Sequence, residues 1–374
     1  MKIGILGGGQ LARMSLIPAV RLGFDVAILE KSVNSPAGKL TKNEFIGWVD
    51  NNKVFYNFID SCDIFTLENE FIDFKFIEAI ENKGKKCVPS SKTISLIQDK
   101  LIQKKVFFDN NIPVGKFCEI NSHSNYESIS KLLGNKFVVK SRKMGYDGYG
   151  NALVKNKSDF NKALKKLKSR NSELYAESFV DFKKELAIII VKSKNETLCY
   201  PVVESIQKNH ICKLVIAEAD ISVKIKKEVI KIAHRCIDAI DGEGIFGIEF
   251  FFSSDNKILV NEIAPRPHNT GHYTLDACRT SQFENHIRAV LSLPLGETIM
   301  HSPKAVMLNI LGKKNGSSEI NNYKTILKQP DIHLHLYGKD ESRVGRKMGH
   351  ITAIGNSVDA LLIKVKKADR QIKI

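Results

Sequence analysis

The residues best suited to chemistry lie in Gly247-Ile248-Glu249-Phe250-Phe251-Phe252 and in Lys257-Ile258-Leu259-Val260-Asn261-Glu262, separated by the polar Ser253-Ser254-Asp255-Asn256. Apolar runs on either side of a polar turn predict a β-hairpin. With Asp255-Asn256 at the loop centre, Glu249 falls directly opposite Glu262, their β-carbons roughly 5 Å apart on one face. Two like charges so placed repel unless something neutralises them. A divalent cation does so, since Mg²⁺ takes one or two carboxylates together with phosphate oxygens. The alternative is a solvated pair of edge glutamates, which the apolar neighbours on both strands disfavour. The inference depends on register: a one-residue slip would part the two carboxylates.

Two further stretches extend this chemistry. Phe137-Val138-Val139-Lys140 is an apolar strand ending in a lysine, and Gly145-Tyr146-Asp147-Gly148-Tyr149-Gly150-Asn151 follows. Three glycines in six residues make a flap whose amides can close over phosphates, with Lys140 as a point charge beneath. A lone glycine loop is often only a hairpin turn, but lysine, flap and acid pair together describe a nucleotide site. Beyond Glu262, the prolines of Ile263-Ala264-Pro265-Arg266-Pro267-His268-Asn269 impose an extended path. Arg266, His268 and Asn269 then offer a fork, an imidazole and an amide beside the acid pair, a set that suits a small planar oxyanion such as bicarbonate. No G-x-S-x-G motif supports a Ser/His/Asp triad.

The N-terminus carries a competing signal. Gly7-Gly8-Gly9-Gln10-Leu11-Ala12 fits G-x-G-x-x-A directly after a strand, and Glu30 ends the next strand about twenty residues on, as in a dinucleotide fingerprint. Its physical content is narrower: amides at a helix N-terminus can approach something anionic. A nicotinamide or flavin oxidoreductase is one reading, and a phosphorylated substrate or carboxylate at the same loop is another.

The elements that must position these groups follow from the patterning. Strand, glycine turn, helix and strand alternate over the first thirty residues, and a further strand at 64–67 runs into Glu68-Asn69-Glu70, so a parallel sheet flanked by helices is expected. A helical stretch at 93–110 ends before Pro113. Short β-branched strands and lysine-rich helices then alternate as α+β, and the proline- and glycine-containing segment 291–303 marks a boundary. The expected units are therefore a Rossmann-like domain at 1–97, a larger α+β domain at 98–292 and a small C-terminal domain at 300–374. The stretch 312–318 reads as a surface loop.

Composition excludes other classes. Of the 374 residues 43% are hydrophobic and 26% charged, as in globular proteins, and no apolar run reaches membrane-span length. The apolar start of the chain is too short for a secretion signal and breaks into glycines. Seven cysteines without a CxxC pair suggest neither disulfides nor zinc, but buried thiols in a reducing cytoplasm. The net charge of +16 is spread along the chain rather than clustered, which favours solvated basic faces and anionic small substrates over nucleic acid.

With these motifs assembled, the chain resembles the N5-carboxyaminoimidazole ribonucleotide synthetases of the ATP-grasp superfamily from end to end. The matching stretches are 4–14, 66–70, 145–151, 261–272, Ser281-Gln282-Phe283-Glu284, His335-Leu336-Tyr337-Gly338-Lys339 and Gly345-Arg346-Lys347-Met348-Gly349-His350. The resemblance implies an N-terminal pre-ATP-grasp domain, an ATP-grasp domain and a small C-terminal domain. It implies ATP-dependent carboxylation of 5-aminoimidazole ribonucleotide by bicarbonate in purine biosynthesis, with Mg²⁺ or Mn²⁺, in a cytoplasmic homodimer. Lys100 and Lys140 would contact ATP phosphates under the 145–151 flap. Glu177, Ser178, Phe179 and Val180 would form the adenine hinge, Glu185 would bind the ribose, and Gln207 and Asn261 would also line the ATP site. Glu249 and Glu262 would hold the metal, Arg266, His268 and Asn269 the bicarbonate. Asp147, Arg346 and Lys347 would face the ribonucleotide, with Gln10, Glu68 and Glu70 contributing from the first domain. Tyr149 stands where many relatives have arginine or lysine, and Gln207 where histidine is usual. Within the superfamily, a formate-dependent glycinamide ribonucleotide transformylase shares the metal pair; the 345–350 stretch favours the carboxylating reading.

Overall fold

The computed structural model describes every residue of the chain apart from 146–149, 170–172, 209, 320–322 and 373. Strands Lys2–Leu6, Asp25–Glu30, Asn43–Ile46, Ile64–Leu67 and Lys86–Val88 form a five-stranded parallel sheet with Lys2–Leu6 at its centre. Helices cover both faces, so the central strand is apolar without alternation: Ile3, Ile5 and Leu6 are all buried. Gly4 is required by close packing, since a β-carbon there would lie 2.6 Å from the Phe65 ring.

A second, four-stranded antiparallel sheet runs in the order Phe117–Ile120, Leu174–Ser178, Phe137–Ser141, Asn151–Val154. Helices Tyr126–Leu133 and Lys157–Lys168 close its core over Phe137, Val139, Phe160 and Ala176. The helix Lys100–Asp109 begins where Asp99 caps the Leu101 and Ile102 amides. The same buried carboxylate takes a bidentate grip from Arg142, which follows the Lys140 strand, and the Lys100 amide donates to the Arg142 carbonyl at 2.8 Å. One acid thereby ties the two lysine-bearing elements together.

The largest sheet has nine strands. Its antiparallel path is Ile258–Ala264, Gly244–Ser253, Phe182–Lys192, Val203–Lys208, Ile211–Ala217, Lys304–Leu311, Lys347–Gly355 and Ile332–Leu336, and Thr197–Cys199 pairs beside Phe182–Lys192. The last three strands on the path come from beyond residue 300, so the C-terminal unit continues the sheet of the middle one instead of forming its own. Segment 291–303 carries no helix or extended strand, consistent with its prolines and glycine. Within 312–318, read as a loop, Gly316–Ser317 pairs with Glu341–Ser342. The helix Val223–Ala239 seals one part of this sheet over Ile188, Phe246 and Ile248, and the helix Val358–Gln371 seals the C-terminal part over Val306, Leu308 and Ile351.

Candidate active site

The glutamates pair by a route the sequence did not show. Glu249 lies opposite Glu262, but Phe250 pairs with Val260, Phe251 with Leu259 and Phe252 with Ile258. The turn is thus centred on Asp255, with Asn256 in the left-handed region (φ 65°). In an unbroken ladder Glu249 would then face Asn261. A β-bulge at Asn261 restores the pairing, because two residues on the bulged strand oppose one on its partner. Asn261 and Glu262 both enter the site as a result: Asn261 Oδ1 is 3.5 Å from Lys140 Nζ, and Glu262 is ion-paired with Lys100.

These contacts fill the space between the two antiparallel sheets. Lys140 donates to Glu177 at 2.7 Å, and Lys104, one turn beyond Lys100, reaches the other Glu177 oxygen at 3.2 Å. Tyr175 donates its hydroxyl to Glu177 at 3.0 Å. Burial opposes ionisation of Glu177, but the two ammonium groups outweigh it and bring its pKa down to about 2. Burial likewise opposes Glu262, and Lys100 brings it to about 2. Glu249 has no such partner; burial, then the charges of Glu262 and Glu185, push it up to about 8. An acid pair in which one member holds its proton for want of positive charge is what a divalent cation would relieve, so the donor set fits such an ion.

The extended segment after Glu262 behaves as the prolines suggested. Arg266 forms a bidentate pair with Glu70 of the first domain, so Glu70 orients the guanidinium and is itself held below the usual carboxylate range by it, against the effect of burial. His268 Nδ1 meets Thr270 Oγ1 at 2.8 Å and Nε2 lies 3.8 Å from Glu249. Burial, then Arg266 and Lys347, hold His268 down to about 3, so it is a neutral imidazole at physiological pH. Asn269 exchanges both amide bonds with Asn309 (3.0 and 2.6 Å), an engagement only the tertiary structure reveals. Gln282 brackets the same segment through the His268 amide and carbonyl.

The remaining candidate residues divide into those the fold brings together and those it does not. Glu185 hydrogen-bonds Gln207 beside the acid pair, and burial raises its pKa. Ser178 and Phe179 donate their amides to the Lys116 and Lys136 carbonyls. Gly145 and Gly150 close the neck of the flap, a Gly150 β-carbon falling 3.2 Å from Gly145 Cα, and Asn151 pairs with Lys140. Tyr146, Asp147, Gly148 and Tyr149 lie outside the described residues. Lys347 acts electrostatically on Glu249, His268 and His272. Arg346 donates to the Glu341 carbonyl, with Arg343 and Asp340 as charged neighbours. Lys104 was not singled out in the sequence, and Gln282 appeared only within a matching stretch, without a role; the spacing of Lys100 and Lys104 on one helix face was the signal for the first.

At the N-terminus the fingerprint glycines serve protein carboxylates. Glu30 accepts the Gly8 amide at 2.8 Å, Glu68 accepts the Leu11 amide at 3.3 Å, and a β-carbon at Gly9 would lie 2.3 Å from Glu68. Burial raises the Glu68 pKa. Two carboxylates thus take amides that a pyrophosphate at this turn would use, which disfavours the oxidoreductase reading. Gln10 opens the helix beside them.

Histidines also bind the C-terminal strands to the rest. His335 Nε2 donates to the Asp276 carboxylate at 2.9 Å, and its ring stacks on His350 at 4.5 Å with planes 13° apart. Lone pairs lie in the ring plane, so two nearly parallel stacked rings do not converge on one ion, and the cluster is a clasp between units. Burial lowers the pKa of His268, His272, His286 and His350. The unfolded chain takes up protons at these positions near pH 6.5 while the folded one does not, so stability is lost as pH falls below that value. The expected loss is about 1.4 kcal/mol per pH unit per histidine, with Glu249 opposing by one proton. Denaturant midpoints measured from pH 7.5 to 5 check this; a flat profile would refute it.

Two facing α+β units with paired lysines and an acid pair between them define an ATP-grasp protein. The family models agree: a ribonucleotide synthetase pre-ATP-grasp domain matches residues 1–98, an ATP-grasp domain 105–283 and a phosphoribosylaminoimidazole carboxylase C-terminal domain 305–364. The chain belongs to the N5-carboxyaminoimidazole ribonucleotide synthetase family. It is 36% identical to the N5-carboxyaminoimidazole ribonucleotide synthase of Synechococcus elongatus, over 94% of this chain and 88% of that protein. It is 41% identical to the phosphoribosylaminoimidazole carboxylase of Ogataea methanolica, over 95% of this chain and 67% of that one. The chain thus spans about two thirds of the length of the fungal and plant carboxylases it matches. Among solved structures, an N5-carboxyaminoimidazole synthase from Aspergillus clavatus, in complex with ADP and 5-aminoimidazole ribonucleotide, superimposes with a TM-score of 0.89 at 35% identity, covering 98% of this chain and 97% of that one.

Proposed function

We propose that this chain uses ATP to carboxylate 5-aminoimidazole ribonucleotide with bicarbonate, forming N5-carboxyaminoimidazole ribonucleotide, ADP and phosphate. The observation that carries the reading is the convergence of Lys100, Lys140, the Glu249–Glu262 pair, neutral His268 and Lys347 on one cleft between the sheets. Lys100 and Lys140 meet the ATP phosphates, and the 145–151 flap covers them. The base lies against the 177–180 hinge, where Val180 supplies the amide that its neighbours have already spent on protein carbonyls; Glu185, with Gln207, faces the ribose. Glu249 and Glu262, with Asn261 alongside, hold magnesium or manganese, which neutralises phosphate charge when bound.

Arg266 and His268 hold bicarbonate, with Asn269 behind them. Its oxygen attacks the γ-phosphorus, giving carboxyphosphate and ADP; the exocyclic amine of the ribonucleotide then captures the carboxyl group, and phosphate leaves. Phosphoryl transfer of this kind depends on alignment and charge neutralisation more than on covalent help. Lys347 faces the ribonucleotide, together with Asp147 and Arg346, and with Gln10 and Glu68 from the first domain; Glu70 acts through Arg266. The cellular setting that fits seven free thiols is the cytoplasm. Among the described residues no helix is long and apolar enough to cross a membrane. A homodimer, at twice the 42.0 kDa chain mass, is checked by sedimentation.

ADP release from purified protein with MgATP and bicarbonate, with and without the ribonucleotide, tests the reading. Stimulation that requires both substrates supports it. Turnover with formate and glycinamide ribonucleotide instead would replace the substrate and keep the ATP site. Lys347→Ala is expected to raise the KM for the ribonucleotide about tenfold, roughly the value of one charge-assisted bond, and to change that for ATP little. An equal effect on both would move Lys347 out of the substrate site.

A further inference from the structure

The bulge that brings Glu262 opposite Glu249 sits on an edge strand, where among the described residues no further strand pairs with the outward backbone groups of Val260 and Ile263, and only a single bridge joins Val260 to Val114. The helix Lys100–Asp109 supplies partners instead. Gln103, 2% exposed, accepts the Ile263 amide at 3.2 Å and donates to the Ile263 carbonyl at 3.3 Å and to the Ile97 carbonyl at 3.1 Å. Lys104 donates to the Val260 carbonyl at 3.0 Å, and the Val260 amide donates to the Pro113 carbonyl at 2.8 Å. The two bulge residues, Asn261 and Glu262, are therefore gripped on both sides by side chains from one helix.

We propose that Gln103 is a positioning residue: its bidentate grip on Ile263 holds the Asn261 bulge, and so keeps Glu262 on the face of Glu249. The physical reason is register. A strand relaxing to the unbulged pairing would set Asn261 against Glu249 and turn Glu262 to the opposite face. No covalent feature prevents that, and the hairpin turn centred on Asp255 favours it. What opposes it is the cost of leaving the buried Ile263 amide and carbonyl without partners. The same helix carries Lys100 at its first turn, so it positions the Glu262 carboxylate and neutralises it at once. This inference rests on the reading of Glu249 and Glu262 as the cation site.

The test is Mn²⁺ binding, followed by loss of the free-ion electron paramagnetic resonance signal in the presence of ADP, on the full chain. Gln103→Leu keeps the side-chain volume and removes the grip. It is expected to weaken Mn²⁺ binding at least tenfold, the range seen when groups that orient metal ligands are removed, while ADP affinity in the absence of metal stays within twofold. Mn²⁺ affinity within twofold of the parent, in a variant that folds, overturns the proposal. Should Gln103→Leu fail to fold, Gln103→Glu carries the test, since it keeps the acceptor for the Ile263 amide and loses the donor to its carbonyl. A threefold or greater weakening is then expected, and unchanged affinity again overturns the proposal. Glu262→Gln is the separate control. If that variant binds Mn²⁺ like the parent, the cation site itself is misassigned, whatever Gln103 does.

Discussion

Replacing Glu262 by glutamine is expected to cut ATP turnover by roughly 10²–10³-fold or more, the loss associated with removing one preorganised group from a charged transition state. The carboxylate is unusually committed: Lys100 and Lys140 hold it ionised, down to about 2, while Glu249 across the ladder is driven up to about 8. Neutralising Glu262 removes an anionic donor from the cleft and leaves Lys100 without its ion-pair partner. The fold should survive, because the charge that helps push Glu249 up disappears and Lys100 is 21% exposed, enough to reach water. The expected signature is therefore a folded protein with near-parental thermal stability, little ADP release and weakened metal binding. Near-normal turnover would remove Glu262 from the chemistry.

Glu177→Gln should instead strike stability. Glu177 is 5% exposed and is the counter-charge for both Lys104 and Lys140. Removing one partner from a buried ionic group typically costs about 3–5 kcal/mol, because the remaining charge is left desolvated. Lys104 feels this more than Lys140: its side chain is 3% exposed, and burial already lowers its pKa. The expected result is a fall of that size in the free energy of unfolding, read from denaturant titrations. Adding Lys104→Met to Glu177→Gln should recover part of it, since a matching charge has been withdrawn. A loss below about 1 kcal/mol, the range of exposed ion pairs, would show that the cluster is solvated. The pH dependence has a definite sign. Glu177 has a folded pKa near 2, so its contribution is present above the unfolded value near 4.3 and is lost as pH falls from there towards 2.

The elements that carry the site were legible because their signals are local. The parallel strands at the N-terminus, the lysine-rich helices beyond Pro113, found at Lys157–Lys168 and Val223–Ala239, and the hairpin around Asp255 follow from apolar period and turn residues. The acid pair was reached through a turn centre half a residue out and a register the bulge then corrected. A bulge leaves no clear mark in Val260-Asn261-Glu262; it exists because Gln103 and Lys104, about 160 positions away, meet the backbone on either side of it. The glycine fingerprint misled for a related reason. It describes amides at a helix start, and which anion meets them depended on where Glu30 and Glu68 arrive from neighbouring strands.

By itself, then, the sequence determined the kinds of group present and the short segments that carry them: a lysine at a strand end, a glycine flap, two glutamates on one hairpin, an arginine and a histidine on a proline-stiffened path. Only the tertiary structure decided how those groups are charged and held. Glu249 pushed up, Glu262 and Glu177 held down, His268 neutral, Arg266 clamped by Glu70 and Lys347 delivered by a sheet that runs on through the C-terminal unit all depend on partners distant in the chain. Backbone pattern is set by neighbours a few residues apart, whereas ionisation and register in a buried cleft are set by whichever charges and hydrogen bonds folding brings within a few ångströms.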